Sequence, residues 1–252
     1  WLSPAFPPEL GGRNASLFEQ MVYLEELGRR HVTRSFNPQG LGIVSATIVS
    51  FGSDDQIRDW AVPIMRAEKT AALGMSEPDA GSDLAALATR AVLDGDQFVV
   101  NGQKVWTSGA HDADMLLAFV RTDPDVPKHR GITFLLVDMT SPGIEVRPLI
   151  QANGSAHFSE VFLSGVRIPA DQVVGEVHGG WGAARTVLAN EAAFIGRGGG
   201  APTSDRLRDL AALHGGLEDP LVRQRLAIVI SREKLQALMG QRIQSAVRNG
   251  HK

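Results

Sequence analysis

Gly74-Met75-Ser76-Glu77-Pro78-Asp79-Ala80-Gly81-Ser82-Asp83 gathers small residues, hydroxyls and carboxylates into one turn-forming segment. Gly74 and Gly81 permit close backbone approach or unusual dihedrals, and Ser76 and Ser82 offer hydroxyl donors. Glu77 and Asp83 can accept hydrogen bonds from neighbouring backbone groups and so hold the turn. The hydrophobic period changes from here on. Asp94-Gly95-Asp96 separates two β-prone runs, and Asn101-Gly102 is a two-residue hairpin signal ahead of Lys104-Val105-Trp106. Residues 115–120, 132–137, 144–146 and 157–163 supply further strands, while 123–130, with Pro124 and Pro127, reads as a surface loop. Strands this closely spaced predict an antiparallel barrel or sandwich rather than a Rossmann unit.

Helical periods flank that middle. Upstream, Ser16 and Glu19 have capping-box spacing ahead of an apolar face at Leu17, Met21, Leu24 and Leu27. Ser53 and Gln56 repeat the signal before Ile57, Trp60, Ala61 and Ile64, and residues 41–49 are apolar enough for a buried helix or strand, with their surroundings favouring helix. Downstream, helices are expected at 181–195, 205–213 and 219–247, with Gly198, Gly199 and Gly200 breaking the pattern. The organisation expected is therefore α+β and multidomain. Residues 1–70 form a helical N-terminal part, 71–174 a β domain and 175–252 a helical C-terminal part.

Composition narrows the chemistry. The 252 residues carry a formal net charge of −3 with no sustained basic stripe, which gives little general attraction to nucleic acid. The absence of cysteine removes disulfides, thiolate catalysis and cysteine-bound metal, and fits a reducing, cytoplasmic setting. The seven histidines show no His-Glu-x-x-His motif or compact ligand spacing, so no metal site is expected. The triple glycine lacks the Lys-Ser/Thr ending of a phosphate-binding loop. No stretch reaches membrane-spanning length without charges or breakers. Trp1-Leu2-Ser3-Pro4 carries neither an initiator Met nor a signal sequence, so the chain reads as an internal piece of a longer soluble protein.

A second marker, Gln103-Lys104-Val105-Trp106-Thr107-Ser108, sets a large aromatic directly before two hydroxyls. Taken alone, Trp106 is equally a buried sheet residue. The two markers together resemble those of the acyl-CoA dehydrogenase flavoproteins, as do Phe158 to Phe162, Val166 to Pro169, Val174-Gly175-Glu176 and Gly179-Gly180-Trp181. The resemblance spans nearly the whole chain and is strongest between residues 73 and 191. It implies FAD as cofactor and an acyl-CoA as substrate. Met75 and Ser76 would contact the flavin, with Leu73 lining the site nearby. Ser82 would lie near the flavin or the CoA end of the substrate, with Leu188 also on the substrate side. Trp106 would pack on the isoalloxazine, and Thr107 or Ser108, preferably Ser108, would donate toward its reactive edge. The family more often has Thr at that position.

Trp181, Ala184, Leu188, Glu191 and Ile195 recur at helical spacing, which sets a carboxylate on a hydrophobic face. Such a group is either paired at a partly exposed position or lifted toward a working pKa by burial. The resemblance implies that Glu191 is the base that abstracts the α proton, although other branches place their base later in the chain. The reaction implied is FAD-dependent α,β-dehydrogenation to a trans-2-enoyl-CoA. Electrons would leave to electron-transfer flavoprotein or a similar acceptor, from a homo- or hetero-oligomer such as a dimer or tetramer. Two departures qualify this reading. Ala192 stands where the family often has Arg, and no Arg-x-x-Phe-Gly appears in the third region, where His214-Gly215-Gly216-Leu217 offers no replacement. A partner-dependent structural subunit of a heteromeric dehydrogenase is the alternative, with a flavin oxidase or monooxygenase as a further one. The resemblance also implies additional helices beyond both ends.

Overall fold

The computed structural model describes the backbone of residues 3–30, 32, 37–196 and 203–248, and their side chains except at 17, 21, 189–196, 244, 247 and 248. Two compact units emerge. The first comprises Trp1–Gln20 and Arg34–Gly198, the second Met21–Thr33 and Gly199–Lys252. Gly198, Gly199 and Gly200, read as a helix break, lie outside the described residues.

Both capping boxes form. Ser16 exchanges hydrogen bonds with Glu19 at the start of α1 (Leu17–Arg29), and Ser53 does the same with Gln56 at the start of α3 (Asp54–Gln56). The apolar 41–49 run is helical: a wide π-type turn at Gly40–Val44 leads into α2 (Ser45–Phe51). A second wide turn, Ile57–Ala61, leads into α4 (Val62–Met65). Polar side chains clamp these helices to the sheet. The Asn37 carboxamide donates to the Ala71 carbonyl at 2.9 Å and accepts from the Ala71 N–H at 3.0 Å. Gln56 donates to the Asp171 and Val173 carbonyls.

The sheet strands are β1 (Ala71–Gly74), β2 (Arg90–Asp94), β3 (Gln97–Ser108), β4 (Met115–Arg121), β5 (Ile132–Asp138), β6 (Ile144–Leu149), β7 (Phe158–Pro169) and β8 (Val173–Val174). They order as β6-β7-β3-β2-β4-β5-β8, with β1 added on β4. Most pairings are antiparallel, as expected, but β1 runs parallel to β4 and β2 meets β4 in parallel at Arg90 and Arg121. The sheet is therefore mixed. β4 and β5 are buried on both faces, which is why they read as unbroken apolar runs. Met115, Leu117, Phe119, Ile132 and Phe134 face the helices, with the Phe119 and Phe134 rings stacked at 4.0 Å. Leu116, Ala118, Val120, Leu135 and Val137 face a second core with Phe98, Val100, Val161 and Ile168.

Asn101-Gly102 is not a turn. Asp94-Gly95-Asp96 closes the β2–β3 hairpin, and Asn101-Gly102 lies inside the twelve-residue β3, at a register shift against β7. The glycine serves close approach instead: a Cβ there would lie 2.7 Å from the Thr89 Cα.

The helix α5 (Gly180–Gly196) packs on β5 through Gly180, where a Cβ would sit 2.8 Å from the Ile132 carbonyl oxygen. Its buried stripe is Gly180, Ala183, Ala184 and Val187. That stripe is rotated from the one expected, and Leu188 falls outside it with 37% of its surface exposed.

In the second unit, α6 (Thr203–Leu213) begins with the Ser204 N–H donating to the Glu233 carboxylate of α7 (Pro220–Arg248), at 3.1 and 3.2 Å. The charge offsets the positive end of α6, and burial of Ser204 accompanies it. Asp219 caps α7 by accepting from the Leu221 N–H.

Candidate functional site

The 74–83 turn and the end of β3 meet edge to edge. Glu77 and Ala80 exchange backbone hydrogen bonds at 2.9 and 3.1 Å, which closes the turn. The Ser76 carbonyl accepts from the Val105 N–H at 2.9 Å, which joins the turn to β3. Beneath this junction lies Lys104, its side chain fully buried. Its ammonium donates to Glu77 Oε1 at 2.7 Å and to the Met75 carbonyl at 3.3 Å. Glu77 also accepts from the Ala88 and Thr89 N–H groups, at 2.6 and 2.9 Å. One carboxylate thereby fixes three segments.

Burial acts against both charges of this pair. It pushes the Lys104 ammonium down to about 8, although the charge and hydrogen bond of Glu77 pull the other way. Burial alone would push Glu77 up, but Lys104 and the Thr89 and Ala88 contacts hold it below the usual carboxylate range. Asp83, the other carboxylate of the turn, is exposed and pairs with Lys128 at 2.6 Å.

Two residues later β3 breaks its pairing with β7, between Lys104 and Thr107. The bulge carries Trp106 with φ at +58°, a region bulky residues rarely occupy. Its indole is 60% exposed and meets the Phe158 ring edge-on at 5.9 Å. A large aromatic held in a costly backbone conformation, with most of its surface open, presents a face for something else to cover.

Trp106 lines a cavity of about 100 Å³ with Leu73, Met75, Ser76, Val105 and Ser108, completed by Gln39 and Ile43. Five of the positions expected to touch flavin thus converge: Leu73, Met75, Ser76, Trp106 and Ser108. Three other expected site residues do not line it. The Thr107 side chain is buried, only 1% exposed, because the strand turns it to the side opposite its neighbours. Ser82 is exposed on the far arm of the turn, and Leu188 lies off the buried stripe of α5. The Glu191 side chain lies outside the described residues; its backbone position follows Val187 by four residues and Ala184 by seven, one helical register.

Lys104, Gln39 and Ile43 are the contributions that sequence reading missed. Lys104 had a legible signal, since it shares the inward phase of Phe98 and Val100 along β3. Gln39 and Ile43 had none, as only the packing of the helices on β1 brings them there.

The lining suits a flat heteroaromatic ring with a polar edge. Apolar Leu73, Ile43 and Met75 and the Trp106 indole offer faces, while Ser76, Ser108 and Gln39 offer donors along a rim. At about 100 Å³ the enclosed space is well below the ~300–1,000 Å³ of pockets that bury a whole small ligand, so the described residues supply one wall. Larger hollows of about 500 and 360 Å³, beside Arg58 and Arg121 respectively, contain none of the expected site residues. Among the described residues, no group of three or more His, Asp or Glu side chains is placed to hold a metal ion, and no helix is long and apolar enough to cross a membrane.

The chain is similar in sequence and fold to known proteins. Residues 1–68 match the family model of the acyl-CoA dehydrogenase N-terminal domain, and residues 72–166 that of the middle domain. Acyl-CoA dehydrogenase FadE34 of Mycobacterium tuberculosis is 42% identical over 243 residues, covering 96% of this chain and 34% of the relative. The chain spans about a third to three fifths of the length of the curated relatives it matches. Among solved structures, the Tcur3481-Tcur3483 steroid ACAD superposes with a TM-score of 0.90 at 35% identity, over 100% of this chain and 65% of that one. The ChsE4-ChsE5 complex from Mycobacterium tuberculosis gives 0.82 at 32% identity, over 98% and 65%.

Proposed function

Because this chain belongs to the acyl-CoA dehydrogenase family, we propose that it carries out FAD-dependent α,β-dehydrogenation of an acyl-CoA thioester to a trans-2-enoyl-CoA. The observation that carries this reading is the convergence of Met75, Ser76, Trp106 and Ser108 on one cleft, with Trp106 held open on a bulge. FAD, when bound, supplies the acceptor for the hydride that leaves the β carbon.

The protein's own groups have separable tasks. Trp106 provides an aromatic wall, and Leu73 and Met75 the apolar surface next to it. The Ser76 and Ser108 hydroxyls orient the polar rim of the ring. Glu191, one turn beyond the buried Val187 on α5, is the proposed base for the α proton. Ser82 and Leu188 are assigned to the CoA side of the site. Thr107, with its side chain turned into the interior, is given no contact to the ring. Electron-transfer flavoprotein or a similar acceptor, an oligomeric assembly and a cytoplasmic setting complete the proposal.

A second reading is favoured by two observations. Ala192 takes the place of a common Arg beside Glu191, and the similar structures include a steroid ACAD named for two components and a ChsE4-ChsE5 complex. On this reading the chain works only with a different partner subunit. The same similarity makes a steroid-derived acyl-CoA a substrate to test.

The test is an anaerobic visible spectrum of the full-length protein, before and after addition of straight-chain, branched and steroid-derived acyl-CoAs. Bleaching of bound flavin by one class supports the dehydrogenase, and Glu191→Gln is then expected to slow bleaching at least a hundredfold (on the order of 10²–10⁴ for a lost base) while FAD stays bound. Bleaching at the original rate rejects Glu191 as the base. Flavin that no thioester reduces, until a co-purifying subunit is restored, moves the assignment to the partner-dependent form.

A further inference from the structure

Lys104 carries its charge into the interior beneath the junction of the 74–83 turn and β3. Its side chain is fully inaccessible and that of Glu77 is 7% exposed, yet an apolar pair of similar size serves a core as well or better. The pair is not isolated from the cleft. The Lys104 ammonium sits 3.3 Å from the Met75 carbonyl oxygen, and that carbonyl forms one peptide unit with the N–H of Ser76. Both residues line the cleft. The Ser76 carbonyl, the other end of that residue, is already engaged by Val105. Glu77 meanwhile accepts from the Ala88 N–H with its second oxygen and from the Thr89 N–H with the first, so Lys104 is one of three donors that share this carboxylate.

We infer that Lys104 is a positioning and electrostatic residue for the flavin, acting through the Met75–Ser76 peptide to favour the reduced ring. The inference rests on the flavin reading of the cleft. The physical steps are short. An ammonium at a carbonyl oxygen polarises the whole peptide and strengthens its N–H as a donor. Two-electron reduction raises the electron density of the ring, and fixed positive potential at its rim stabilises that form without any rearrangement. The same bonds set the position of Ser76 relative to Trp106, because Lys104 and Trp106 lie two residues apart on β3. The charged groups acting on Lys104 are Glu77, which supports its charge, and Arg121 of β4, which opposes it. Coupling of this kind is reciprocal: whatever Lys104 contributes to reduction, reduction returns to the proton affinity of Lys104.

The experiment uses the full-length protein loaded with FAD. Glu77→Gln combined with Lys104→Met removes both charges together and so avoids stranding either one in the interior. The two-electron midpoint potential of the double variant is expected to fall by about tenfold in equilibrium constant, about 30 mV for two electrons, with FAD still bound. Bound FAD with an unmoved potential overturns the inference and leaves the functional reading standing. An unaltered full-length protein that takes up no FAD overturns both. Should the double variant not fold, the unaltered protein still decides: ¹³C-labelled Lys104 should titrate about tenfold higher in proton affinity when the flavin is reduced by dithionite than when it is oxidised. Equal titration in the two states refutes the coupling.

Discussion

Trp106 shows at the scale of one residue how a functional surface differs from a core. Its indole is 60% exposed and its φ is +58°, so neither burial nor backbone preference explains its place. Trp106→Ala therefore removes little that the protein alone relies on, mainly the edge contact to Phe158 of about 0.5–1.5 kcal/mol. It removes the aromatic face of the cleft. The expected result is an apo-protein with nearly unchanged melting temperature whose FAD dissociation constant rises about tenfold to a hundredfold, following the ~1.5–3 kcal/mol of a buried large side chain. Fluorescence titration with FAD beside a thermal melt measures both. An unchanged dissociation constant would remove Trp106 from the site. Ser108 and Thr107 make the complementary point: two adjacent hydroxyls, of which the strand's alternation gives one to the cleft and the other to the interior.

At the scale of the element, β3 does most of the assembly. Its first half pairs with β2 and β7, its middle crosses Thr89 at Gly102, and its end carries Lys104, Trp106 and Ser108. The Asn-Gly pair that resembles a hairpin turn is instead the place where two backbones nearly touch. Gly102→Ala puts a Cβ 2.7 Å from the Thr89 Cα, and Thr89 cannot retreat freely while its N–H is bound to Glu77. A loss of about 1–3 kcal/mol is expected, typical of overpacking, read as a lower urea midpoint with an unchanged slope. Gly95→Ala, at a left-handed position in the true hairpin with open space around it, is the control for backbone strain without crowding. Equal losses at the two sites would remove the close-approach explanation.

The whole molecule adds the pH dependence of stability. Glu77 titrates lower in the folded protein than its usual value of 4.5. As pH falls below about that value the unfolded chain takes up the proton first, so the stability contributed by Glu77 is present above it and lost on acidification. Lys104 stands at about 8 against a usual 10.5. Between those values the unfolded chain holds more protons, so the contribution of this group to stability rises with pH. The double Glu77→Gln, Lys104→Met variant should flatten both slopes, as measured by urea midpoints at acidic, neutral and alkaline pH. Slopes identical to the wild type would show that other groups set them.

The sequence alone determined the order of elements and the chemistry of the markers, because both are written in local terms. Capping boxes at Ser16 and Ser53 join residues three apart, and β4 and β5 announce two-sided burial by unbroken hydrophobicity. The 74–83 and 103–108 segments carried the family resemblance in their own residues. Only the tertiary structure decided what those segments do to each other. The Glu77–Lys104 contact closes 27 residues of separation, and the parallel β1–β4 pairing closes more than 40. The inward turn of Thr107, the rotated stripe of α5 and the crossing at Gly102 likewise depend on which backbone lies alongside. Local propensity specifies a strand or a helix; the distance between two chain segments, and hence the charge beneath a cleft, is fixed only when the core between them has packed.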